Sequence, residues 1–184
     1  MYDAIVLGTG GVGSAALYHL ARAGARVVGV DRFRPPHDHG SSHGETRVIR
    51  KSYFEHPDYV PLAVESYRLW NELSALTGRM LYHETGLVEI GPSDGHVVPG
   101  VLRAAEEHHL KVESLSPSEV ATRWPGLRVP PNLSAVYEPA AGFLMVEDCV
   151  AGHTAAAAEL GAELRTDCEV RGWHAAVDQV VVKT

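Results

Sequence analysis

Ala4-Ile5-Val6-Leu7-Gly8-Thr9-Gly10-Gly11-Val12-Gly13 is the stretch whose reading decides the fold of this 184-residue chain. The four apolar residues read as a buried parallel strand that empties into Gly-x-Gly-x-x-Gly. Behind the glycines, Ala15, Ala16, Leu17, Leu20 and Ala21 fall at helical spacing, and Gly24 marks a stop. Gly8 allows the tight turn, Gly10 lets backbone amides approach a pyrophosphate, and Gly13 lets the helix pack close to the sheet. The phosphates would rest at the positive end of that helix. A second strand follows at Arg26-Val27-Val28-Gly29-Val30, and Asp31 stands at its end, at the spacing where a carboxylate accepts hydrogen bonds from a ribose. Strand, glycines, helix, strand and acid in this order predict a dinucleotide-binding α/β domain.

Composition narrows the field. Hydrophobic residues make up 45% of the chain, enough for a core, and the net charge is −7 with a pI near 5.8. There is no basic field for nucleic acid and no apolar run of membrane-spanning length, so neither is expected as a partner. The two cysteines, Cys149 and Cys168, form no metal or disulfide pattern. The first strand starts close to Met1 and leaves no room for a signal peptide, which points to the cytoplasm. His37, His39 and His43 follow no zinc or facial-triad spacing, and no metal is expected. The β-rich run up to Thr184 has no closing helix, and a doubly wound sheet needs more parallel strands than are visible here, so the fold is expected to be truncated.

A nicotinamide dehydrogenase would continue after the acid with a helix and a third buried strand. Here Arg32 to Gly44 is instead a long polar loop, and its position beside the glycines favours a binding role. Glu45 to Lys51 is expected to form a short helix that gathers Arg47, Arg50 and Lys51 on neighbouring faces. Asp58 is expected to cap a longer helix buried along Leu62, Leu69, Leu73 and Leu76 and closed by Gly78. Two strands around Thr85-Gly86, a helix from Val97 to Ala105, and a strand at Val112 to Leu115 come next. A proline-started helix then follows Ser116. Ala135-Val136-Tyr137 and Gly142 to Met145 read as strands of a separate sheet. Asp148 to Leu160 reads as an alanine-rich helix, followed by strands beginning at Glu163 and Glu169.

Gly8 to Gly13, Val30-Asp31-Arg32-Phe33 with Pro35-Pro36-His37, and Gly40 to Arg50 together resemble the N-terminal half of the monomeric sarcosine oxidase and N-methyltryptophan oxidase family. Tyr59 to Ala63, Thr85-Gly86-Leu87, Arg123 to Leu127, Glu138-Pro139 and Glu147-Asp148-Cys149 continue the match. The resemblance implies an FAD-binding Rossmann-like domain with an interleaved α+β substrate domain. Residues 1–78 would begin the FAD-binding domain, residues 79–146 would form part of the substrate domain, and residues 147–184 would return to the first. It implies a flavoprotein oxidoreductase that converts a secondary-amine amino acid, sarcosine-like, to an imine. Molecular oxygen would be the acceptor and hydrogen peroxide the by-product.

Site residues follow from the same resemblance. Arg50 corresponds to the arginine that holds the substrate carboxylate, a role suited to a fixed guanidinium fork. Arg47 and His43 correspond to residues near the flavin ring, where cations oppose developing negative charge. Cofactor contacts are expected from Gly8, Gly10, Gly11, Val12, Gly13, Asp31 and Arg32, and further along from Ser42, His43, Arg47 and Val170. Ser42 and Lys51 stand where relatives carry histidines. The family's flavin-linking cysteine lies in its C-terminal half, and neither Cys149 nor Cys168 matches it. The 184 residues alone are expected not to turn over substrate. Two rival readings are an NAD(P)-dependent dehydrogenase, with Arg32 and Arg34 on a 2′-phosphate, and a non-catalytic nucleotide-binding fragment.

Overall fold

The computed structural model describes residues 1–184. In chain order the elements are β1 (Ala4–Leu7), α1 (Gly11–Arg22), β2 (Val27–Val30), β3 (Thr46–Ile49), α2 (Tyr59–Thr77), β4 (Tyr82–Glu84), β5 (Leu87–Gly91) and α3 (Val97–Glu107). They continue with β6 (Glu113–Leu115), α4 (Pro117–Arg123), β7 (Ser134–Glu138), β8 (Gly142–Met145), α5 (Val146–Glu159), β9 (Glu163–Arg165), β10 (Gly172–Ala175) and β11 (Val180–Lys183). The chain forms two compact units. One holds Met1–Arg47, Leu73–Leu81 and Met145–Thr184, the other Val48–Glu72 and Tyr82–Leu144.

The first unit is built on a parallel sheet of order β1-β2-β9, with Ala4 opposite Val27 and Val28 opposite Glu163. All four residues of β2 are buried, as a central parallel strand with both faces covered requires. Helix α1 lies over this sheet. Gly29 lets it come close: a Cβ there would meet Thr9 Cγ2 at 2.8 Å and Leu17 Cδ2 at 3.0 Å. The C-terminus of α1 closes as expected at Gly24, whose φ is +87°. The Gly24 amide bonds the Ala21 carbonyl and the Ala25 amide the Leu20 carbonyl, a Schellman arrangement. Small residues Ala156 and Ala157 on α5 are buried with Leu17 and Ala21 of α1, and the ring centroids of Tyr18 and His153 are 5.7 Å apart.

The second unit carries most of the sheet β3-β8-β4 and all of the sheet β5-β7-β6. The latter two pairings are antiparallel, with Glu89 opposite Val136 and Glu113 opposite Tyr137. Helix α3 covers this sheet, and Val98, Val101 and Val136 form a core flanked by Phe54 and Val112. Gly100 brings α3 against the chain at Phe54, where a Cβ would fall 2.3 Å from the Phe54 carbonyl oxygen. The short helix α4 opens with a full capping box between Ser116 and Glu119.

Four expectations are corrected. Glu45 to Lys51 does not form a helix. Gly44 and Glu45 both adopt left-handed φ (89° and 65°), and Thr46, Val48 and Ile49 are β-branched residues that suit the strand β3. In α2 the expected leucine stripe is fully buried only at Leu73: Leu62 is 69% and Leu76 55% exposed, and the rest of the buried face is Val60, Ala63 and Tyr67. Positions 60, 63 and 67 have equally good helical spacing, so side-chain type alone misplaced the buried face over the first turns. No Asp58 side-chain cap forms. The first turn of α2 is closed by the Tyr59 amide on the His56 carbonyl and the Val60 amide on the Pro57 carbonyl. Finally, Glu169 and Val170 lie outside any strand.

Candidate functional site: a glycine-lined cleft and an arginine cluster

The cleft in the first unit has a volume of about 510 Å3, within the usual range for small-molecule sites. Gly8, Gly10, Asp31, Arg32, Ser42 and Val170 line it, together with Phe33, His37 and His39. Gly13 stands behind the turn, where a Cβ would sit 1.8 Å from the Gly8 carbonyl oxygen. No other residue permits this approach of helix to strand. Gly8 itself has φ +83°, the left-handed value that the turn out of β1 demands. The Gly11 amide, at the start of α1, donates to Ser42 Oγ at 2.8 Å. Val12, in the same turn, is 88% exposed.

Asp31 organises the wall of the cleft. Its Oδ2 accepts from the Thr9 amide at 2.6 Å and the Thr9 hydroxyl at 2.9 Å. Its Oδ1 accepts from the Phe33 amide at 3.1 Å and lies 3.3 Å from His37 Nε2. Burial works to raise this carboxyl, but the bonds from Thr9 and Phe33 and the nearby His37 outweigh it and hold it below the ordinary carboxylate range. Arg32 pairs with Glu169 at 3.5 Å.

The loop that closes the cleft is tied down by Glu147 in the first turn of α5. Its carboxylate accepts from the Gly44 amide at 2.8 Å and the Glu45 amide at 3.2 Å, fixing the left-handed turn. His43 is half-buried and lies close enough to Glu147 to interact with it electrostatically. Arg47 donates to the Thr46 carbonyl at 2.7 Å and to the Ser41 carbonyl, so its guanidinium clamps the loop.

Arg50 lies in the second unit and does not share a helical face with Arg47. Its Nη2 donates to both oxygens of Glu55, at 2.9 and 3.0 Å, and its Nε is 3.5 Å from Glu89 Oε1. The guanidinium stacks over the rings of Tyr53 (4.6 Å) and Phe54 (4.9 Å). Lys51 Nζ sits over the Tyr67 ring at 4.5 Å. The convergence of three cations expected from a helix is absent, because the segment is a strand that enters a turn. The backbone of that turn is held by Glu138, which accepts from the amides of Lys51 (2.9 Å) and Ser52 (3.0 Å) and from the Ser52 hydroxyl.

These residues fit the ADP half of a dinucleotide: a turn that excludes side chains, a helix N-terminus, and a buried carboxylate on the cleft wall. Residues 3–184 match the family described as FAD dependent oxidoreductase. The chain belongs to that family. It is 40% identical over 184 residues to the monomeric sarcosine oxidase of Bacillus sp. (strain B-0618), covering all of this chain and 47% of the relative. It is 39% identical to the N-methyl-L-tryptophan oxidase of Yersinia pestis (strain Pestoides F), with 98% and 50% covered. The solved structure of NikD, an unusual amino acid oxidase essential for nikkomycin biosynthesis, superposes with a TM-score of 0.86 at 26% identity over 98% of this chain and 47% of that one. The chain thus spans about half the length of the curated relatives it matches. Members of this FAD dependent oxidoreductase family use FAD, and the fold described above is theirs. No helix is long and apolar enough to cross a membrane.

Sequence reasoning missed Phe33, His37 and His39 as cleft residues and Glu55 and Glu89 as partners of Arg50. The length of the loop and its position beside the glycines signalled binding without saying which side chains turn inward. Nothing in the sequence linked Glu89 to Arg50, because the link depends on strand β5 lying beside the turn after β3.

Proposed function

We propose that the protein is an FAD-dependent oxidase of a secondary-amine amino acid of the sarcosine type, with molecular oxygen as acceptor and hydrogen peroxide as product. In this reading the first unit is the FAD-binding part, and the second is part of the substrate domain. The observation that carries the proposal is the side-chain-free approach of Gly13 to the Gly8 carbonyl above a cleft walled by Asp31. The amides of the Gly10–Gly13 turn would meet the pyrophosphate and Asp31 the ribose. Val170 and Arg32 would flank the nucleotide, and His43 and Arg47 would supply positive charge toward the ring. When bound, FAD supplies the two-electron oxidant that the protein's own side chains lack.

Arg50 would hold the substrate carboxylate and so fix the amine's neighbouring carbon for oxidation. Its stacking on Tyr53 and Phe54 limits the motion of the guanidinium plane and lowers the entropy lost on binding. The net reaction consumes amine, water and oxygen and yields the demethylated amino acid, formaldehyde and peroxide when the amine carries an N-methyl group. The test is to purify the whole protein, record its visible spectrum, and assay peroxide with sarcosine and with a primary amino acid. Flavin bands together with peroxide from sarcosine support the reading. A protein without flavin bands, or one inert toward every secondary amine, overturns it.

A further inference from the structure

Arg50 already carries two carboxylates, and they differ. Glu55 is half-exposed and sits on the segment before α2, where it can swing away. Glu89 cannot. It lies in the middle of β5, its side chain is 10% exposed, and its Oε1 stops 3.5 Å from Arg50 Nε without forming a hydrogen bond. The buried Nε–H has no acceptor at all. The register sets Leu87 opposite Glu138 and Glu89 opposite Val136, so Glu89 and Glu138 share one face of the sheet. Glu138 is committed to the Lys51 and Ser52 amides and the Ser52 hydroxyl. The charged groups facing Glu89 are therefore Arg50 and Glu55 from the segment after β3 and Glu138 from β7. Helix α3 meets the end of the same strand with Val97 and Val98, against Gly91.

A third carboxylate brought to Arg50 would place several negative groups around one cation in a poorly solvated setting. Glu55 can move out of the way, whereas Glu89 can yield only by losing its charge. We propose that Glu89 is a specificity-determining residue which couples the uptake of an anionic ligand at Arg50 to the uptake of one proton. The proposal rests on the reading of Arg50 as the seat of the substrate carboxylate. The proton affinity of Glu89 suits this role, since burial pushes its carboxyl up to about 7, with Arg50 pulling it down and Glu138 and Glu55 adding to the rise. Below that pH Glu89 is neutral and the charge of Arg50 is available. Above it, each unit of pH makes the required protonation tenfold harder, and anion affinity falls by about that factor.

The test uses the whole flavin-loaded protein and propionate, a carboxylate with no titrating amine, followed by the change in flavin absorbance between about pH 6 and about pH 9. The wild-type Kd is expected to rise toward about tenfold per pH unit above neutrality. Glu89→Gln is expected to hold the low-pH affinity across the range. A wild-type Kd independent of pH, or a Glu89→Gln variant that keeps the slope, overturns the proposal. The wild-type profile decides this even if the variant fails to fold. Arg50→Ala separates the two layers. Loss of propionate binding in that variant with a pH-independent wild type refutes the role of Glu89 alone, whereas unchanged binding refutes the carboxylate seat itself.

Discussion

Asp31 and Thr9 are joined twice: one carboxylate oxygen accepts from both the amide and the hydroxyl of Thr9, at 2.6 and 2.9 Å. Thr9 is fully buried, so these donors have no water to turn to. Asp31→Ala strands both and is expected to lower stability by about 1–3 kcal/mol, read from urea unfolding of the whole protein. The pH dependence has a definite sign. The folded carboxyl is held below its ordinary value, so its contribution is complete above the ordinary carboxylate range and is lost as pH falls through the depressed folded pKa. The difference between wild type and Asp31→Ala should therefore narrow only in strong acid.

Gly13→Ala places a Cβ 1.8 Å from the Gly8 carbonyl oxygen, which is backbone and cannot rotate away. Helix α1 must shift from β1, at an expected cost of about 1–3 kcal/mol. Val12→Ala, one residue earlier and open to solvent, should leave the thermal midpoint within a degree or two. Equal midpoints for the two variants would show that the close approach is not required.

His153 provides a second pH-dependent contribution, opposite in origin. Burial drives its pKa down to about 4, and the nearby His19 adds to this. The unfolded chain takes up the proton first, near pH 6.5, so stability should fall as pH drops from about 6.5 to about 4, by at most about 3 kcal/mol. His153→Phe should flatten that part of the stability profile measured by thermal unfolding. A slope unchanged in the variant would assign it to other groups.

The parts of this molecule legible in the sequence are those governed by local chemistry. Gly8, Gly13 and Gly24 each answer a backbone requirement within a few residues of themselves, and Ser116 and Glu119 cap each other across one turn. Where partners come from afar, the sequence misled. The segment after Gly44 has cations at helical spacing, yet two consecutive left-handed residues and the pairing of β3 with β8 make it a strand. The buried face of α2 is chosen by what surrounds Tyr67, not by leucine content. Arg50 was legible as an arginine of interest, but Glu55 and Glu89 beside it were not, since turn and strand meet only in the folded chain.

Arg50→Ala should weaken a carboxylate-bearing substrate by about 2–5 kcal/mol, the scale for removing one partner of a buried charge pair. A neutral secondary amine without the carboxylate should lose much less. Comparing kcat/KM for the two substrates gives the answer: equal losses would make Arg50 a structural residue that serves only to hold Glu55 and Glu89.

The central claim is that the Gly8 to Gly13 turn holds FAD, and the molar ratio of flavin to protein in Gly10→Leu measures it most directly. Gly10 faces the cleft, and a Cβ there would already meet Ser42 Oγ at 3.2 Å. The whole protein should carry equimolar flavin as purified, while the variant should be flavin-free yet retain the wild-type circular dichroism spectrum. A folded Gly10→Leu protein with undiminished flavin would contradict the account.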